Sequence, residues 1–171
     1  MNTRTPTRKY RIPALSVALI GLLLAQPTAL ASGDQAVKAN RIMGLWLVTV
    51  TLTNCATGEP LPFPGATFDA MGLYGADGSF HDTNANSPLV RSASFGIWDH
   101  LGGRRYKFAF RAFQFDSTGT LPAGSQIVRH EVVLSPDGRS YTSEGTAEFY
   151  DVHGVRMLPD GCSTSTAQRF N

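Results

Sequence analysis

The side chain with the strongest claim to chemistry is His130. It sits on an alternating stretch in which Val128, Val132 and Leu134 share its face, so the pattern that buries three apolar side chains also carries an imidazole inward. A buried imidazole must find a hydrogen-bond partner or stay neutral, and Tyr106 or Tyr141 can supply one. Four readings are open to it: polar contact for a ligand head group, general acid–base, satisfied core histidine, or an outward histidine if the strand has the other phase. His81-Asp82 and Asp99-His100 fall near strand ends, where they can converge on one mouth. No spacing among them matches a metal-ligand motif, and no metal is expected. Gly161-Cys162-Ser163 lacks the flanking glycine of a nucleophile elbow, and no glycine-rich loop precedes a helix to cradle a phosphate. The residue types give no positive argument for catalysis, and no cofactor is expected.

The elements that must position these residues begin after an N-terminal targeting sequence. Arg4, Arg8, Lys9 and Arg11 form a basic region, Ala14 to Ala25 an apolar one, and Ala29-Leu30-Ala31 a small-x-small cleavage site. Cutting after Ala31 removes 31 of the 171 residues and leaves 140, the size of one ordinary domain, expected over residues 32–171. The apolar run is too short for a stable transmembrane anchor, so the expected location is secreted or periplasmic. Four of the 15 basic residues and none of the 13 acidic ones precede the cut, leaving 11 against 13, a net charge of −2. No basic stripe survives, and nucleic acid is not expected as a partner. In an oxidising compartment Cys55 and Cys162, the only cysteines, are expected to form a disulfide.

Beyond a helix expected over Ser32–Met43, the period is two. Trp46, Val48, Val50 and Leu52 alternate with Thr49, Thr51 and Thr53. Further short strands follow, separated by turn signals such as Asp77-Gly78 and Ser135-Pro136-Asp137-Gly138. The count is eight or nine, with Val155–Leu158 and Ser163–Phe170 read as separate strands. Short connections imply antiparallel sequence neighbours, and such a sheet closes to remove its edges. The fold class is therefore an all-β, up-and-down antiparallel barrel in which the first and last strands meet, with the cysteines beside that seam.

Along the aromatic strand Tyr106, Phe108 and Phe110 share a face, whereas Phe113 and Phe115 fall on the other parity. A bulge after Arg111, turning both inward, is the expected arrangement; without one, they lie outside, covered by the N-terminal helix or a partner subunit. Two strands later, the inward positions hold Tyr141, Ser143, Gly145, Ala147 and Phe149. The small residues either leave a cavity or complement the phenylalanines in a filled core, and an eight-stranded barrel is wide enough for both.

The lead-in helix, Gly44-x-Trp46 on the first strand and Arg169 on the last make the chain resemble the lipocalin-like barrels of the calycin superfamily. The resemblance implies that Trp46 lies at the closed base, with Arg169 packed over its ring as a structural pair. It also implies a small, largely apolar ligand held inside the barrel; from the alternation, Trp98, Tyr106, Phe108, Phe110, His130 and Tyr141 are the expected contacts. Two alternatives accompany it. One is a barrel enzyme similar to allene oxide cyclase, steering a lipid-derived substrate by shape. The other is a filled barrel acting as an interaction or inhibitor module, with exposed Phe63, Phe113 or Phe115 as its contact patch.

Overall fold

The computed structural model describes residues 40–171. The expected targeting segment, its expected cleavage site and most of the expected Ser32–Met43 helix lie outside the described residues. The part that is described forms a short 3-10 turn, Asn40–Ile42.

Eight strands follow: β1 (Gly44–Thr53), β2 (Thr67–Tyr74), β3 (Ser79–Asn84), β4 (Ser94–Gly102), β5 (Arg105–Phe115), β6 (Pro122–Leu134), β7 (Ser140–Tyr150) and β8 (Arg156–Arg169). Each pairs antiparallel with its sequence neighbours, and β1 closes on β8, so the sheet is an up-and-down barrel without a free edge. The closing register runs from Trp46 opposite Arg169 to Thr53 opposite Cys162.

Alternation decides what lies inside. Phe68, Ala70, Gly72 and Tyr74 of β2 share the inward parity, as do Phe80, Asp82 and Asn84 of β3, while Met71, Leu73 and Thr83 face out. The outer face of β5 to β7 carries cross-strand ion pairs, Arg105–Glu131 at 2.6 Å and Arg129–Glu148 at 2.7 Å. Lys107 pairs similarly with Asp99 on β4 at 3.3 Å.

Two sequence expectations require correction. The chain does not slip phase at Arg111: Ala112 is the buried residue and Phe113 is 59 % exposed, under the Arg111 guanidinium. The irregularity comes later, between Gln114 and Phe115, where Phe115 pairs with Pro122. The final two expected strands are one. β8 pairs Met157 with Phe149 and Gly161 with Ala147, leaving Leu158–Asp160 as a bulge opposite Glu148. Pro159, which has no N–H for a ladder, sits in that bulge instead of ending the strand.

Seam and plug use residues from both ends of the described chain. Cys55 and Cys162 form a disulfide beside the last β1–β8 pair. At the opposite end of the seam, Trp46 is fully buried and donates from its indole nitrogen to the Ile42 carbonyl at 2.8 Å. The Arg169 guanidinium lies 4.4 Å from the Trp46 ring centroid. It also donates to the carbonyls of Met43 (2.7 Å), Gly138 (3.1 Å) and Arg41. Gly44 is required here: its φ is +119°, and a Cβ would stand 3.0 Å from an Arg169 nitrogen. The Gly44-x-Trp46 pattern thus encodes a closed barrel end.

Candidate ligand cavity

The barrel interior is not filled. Above the plug lies a cavity of about 450 Å³ that reaches the rim at Asn86 and Val90. One wall is a column of nearly parallel rings. Phe80 stacks on Phe108 at 4.4 Å, Phe110 follows Phe108 at 6.0 Å, and the His130 imidazole stacks on Phe108 at 5.2 Å. Val48, Val50 and Leu52 supply the aliphatic side, and Phe68, Ala147, Phe149 and Ser163 line the remainder. Val50 and Leu52 are inward yet incompletely covered because they face this space and not other side chains.

His130 occupies the position that its alternation implies, but its partners are not the tyrosines. Nδ1 lies 2.9 Å from the Ser143 hydroxyl and Nε2 lies 3.0 Å from that of Ser163; Ser143 continues to Ser165 at 2.5 Å. Each serine stands on the inward parity of β7 or β8. Burial pushes the imidazole down from 6.5 to about 4, so it is neutral at physiological pH. A neutral ring has one N–H and one bare nitrogen; one serine therefore receives a hydrogen bond and the other gives one. Gly145 makes this placement possible, since a Cβ there would stand 1.9 Å from the Arg129 carbonyl oxygen and 2.5 Å from the imidazole.

Of the six expected contacts, Phe108, Phe110, His130 and Tyr141 line the cavity, whereas Trp98 and Tyr106 do not. Trp98 donates to the Gly75 carbonyl at 2.8 Å and packs against Tyr74 and Tyr106, with centroids 5.9 and 6.1 Å away. Both therefore belong to the plug, which is where the β4–β5 hairpin returns. Tyr141 forms the boundary: its ring is 4.9 Å from Trp46 below, and burial holds its phenol well above the ordinary range.

The sequence reading missed the cavity's ionic element. Asp82 faces inward from β3, and Arg91 reaches it from the β3–β4 connection at 2.5 Å; both side chains are largely buried. The guanidinium also lies 5.6 Å from the Phe110 centroid. Ser94 donates to the same carboxylate at 3.3 Å. Burial raises the Asp82 carboxyl above its usual value, against the opposing pull of Arg91. The inward parity of Phe80, Asp82 and Asn84 was available as a signal for the aspartate. A loop arginine between a proline and a serine run offers none.

The four histidine and aspartate residues considered as a mouth cluster do not converge. Asp82 points in, His81 faces out against Phe95 at 5.0 Å, Asp99 pairs with Lys107, and His100 contacts the Gly103 carbonyl. Among the described residues no three of His, Cys, Asp and Glu gather where they could hold a metal ion. Phe63 is exposed like Phe113, whereas Phe115 lines the cavity. No protein-family model, no curated protein and no solved structure matches the chain.

Proposed function

We propose that this protein is an extracytoplasmic, lipocalin-like barrel that binds a small, largely apolar molecule inside. The single observation that carries this reading is the cavity of about 450 Å³, walled by stacked rings and aliphatic side chains and reaching the rim. Its volume and apolar make-up with a few polar groups are those of small-molecule sites. The Cys55–Cys162 disulfide and the N-terminal basic, apolar and small-residue pattern support an oxidising location.

One observation favours the enzymatic alternative: a carboxylate, Asp82, lines the same cavity as His130. Asp82 is held by Arg91 and Ser94, however, and both imidazole nitrogens are engaged by serines. Neither is presented as a free acid or base, so binding is the better supported role.

Native mass spectrometry of protein purified from its own host, joined to titration with the neutral fluorophore N-phenyl-1-naphthylamine, tests the proposal. The expected result is a co-purifying small molecule or saturable one-to-one uptake of the probe. Ala147→Phe, which places a ring in the cavity, abolishes uptake while the melting transition is retained. Unliganded protein that also fails to take up the probe sinks the proposal.

A further inference from the structure

Resting on that binding role, we infer that the cavity selects uncharged ligands: an apolar body bearing a neutral group that both donates and accepts hydrogen bonds, such as an alcohol or a primary amide. The inference follows from how the cavity's charges are arranged. Its lining holds one carboxylate and one guanidinium, Asp82 and Arg91, and these are bonded to each other at 2.5 Å with side chains 13 % and 8 % exposed. A ligand anion brought to Arg91 is brought equally to Asp82, and a cation brought to Asp82 meets Arg91. Attraction and repulsion offset each other, while the cost of stripping water from the ligand's charge remains.

The remaining polar groups point the same way. His130 is occupied on both nitrogens by serine hydroxyls and offers no cationic anchor. Asn84, Asn86, Gln114 and Gln126 line the upper cavity, and amides carry donors and acceptors without charge. Arg91 itself depends on Asp82. Its Nε is enclosed without a hydrogen-bond partner, and its other hydrogen bond, to the Ser92 carbonyl, is long at 3.5 Å. Neutralising Asp82 therefore leaves a buried guanidinium whose charge an incoming anion can balance.

Displacement of N-phenyl-1-naphthylamine from the purified protein by a ten-carbon series, 1-decanol, decanamide, decanoate and decylammonium, tests this near neutral pH. The alcohol and amide should displace the probe at least about tenfold more tightly than either ion. In Asp82→Asn, decanoate should gain about tenfold relative to decanol while decylammonium does not. Decanoate or decylammonium matching the neutral ligands in the wild type overturns the inference and leaves the binding role standing. An unchanged ranking in a folded Asp82→Asn protein also overturns it. The wild-type series alone decides the matter if that variant does not fold. Absence of any probe uptake overturns both the inference and the binding role.

Discussion

Acid should destabilise this barrel through His130 before it protonates ordinary carboxylates. The folded imidazole titrates at about 4 because burial disfavours its charged form, against 6.5 for an unperturbed group. Between those values the unfolded chain binds a proton that the folded chain refuses. Stability is therefore at full value above pH 6.5, falls as the pH is lowered through the window, and levels off below about 4. At pH 5 the loss is about 2 kcal/mol, and the full loss is about 3 kcal/mol. For a domain of this size, about 2 kcal/mol lowers the melting temperature by roughly 8 °C. The assay is a set of thermal or urea melts from pH 7.5 to 4.5 on wild type and His130→Gln. The variant loses some stability at every pH through the altered serine bonds, but it lacks the window. Asp82, whose raised carboxyl contributes with the opposite sign, is common to both proteins and cancels in the difference. A wild-type-minus-variant curve that stays flat from pH 7 to 4.5, or a His130 ring proton titrating near 6.5 by NMR, would refute the reasoning.

Two further outcomes follow from the seam. Reducing the Cys55–Cys162 disulfide, which spans a sequence separation of 107, should cost about 4–5 kcal/mol on chain-entropy grounds, seen as a lower urea midpoint with reductant; equal midpoints would remove the bridge from the stability argument. Arg169→Leu should cost about 2–4 kcal/mol by removing the contact over Trp46 and leaving three carbonyls without their donor, and Arg169→Lys should recover only part of it, read from denaturant melts followed by tryptophan fluorescence.

The barrel was legible because its devices are either periodic or terminal. Alternation along β1, β6 and β7 assigns inside and outside correctly, and closure brings Trp46 to Arg169 and Cys55 to Cys162 across long stretches of chain. His130 was legible as inward because apolar residues flank it at every second position. Its partners were not. Ser143 and Ser163 become neighbours only through the β6–β7 and β7–β8 registers, which place His130 opposite Gly145 and Gly145 opposite Ser163. Trp98 and Tyr106 lie away from the cavity for a related reason. Aromatic type says that a ring is buried, but height along the barrel decides whether it belongs to the plug or to the cavity. Arg91 was illegible because its partner is selected by tertiary geometry from an irregular connection.

The small residues of β7 left open whether the interior is filled, and the structure shows why they leave space. The rings of β3 and β5 stack on one another along their own wall instead of reaching across the barrel. On β7 and β8, Ser143, Ser163 and Ser165 are engaged by His130 and by each other. The cavity is the space these small side chains and the ring wall leave between them. A dry void of about 450 Å³ would cost about 10 kcal/mol at the usual penalty for cavity volume, comparable to the entire net stability of a domain. The space is therefore always occupied, by solvent or by a guest. Water can be held where Asp82, Arg91 and the amides offer hydrogen bonds, but against Phe80, Phe108 and Phe110 it finds none. Water along the ring column is thus the least stable occupant, and its displacement by an apolar body is the largest favourable contribution that this interior can make to binding.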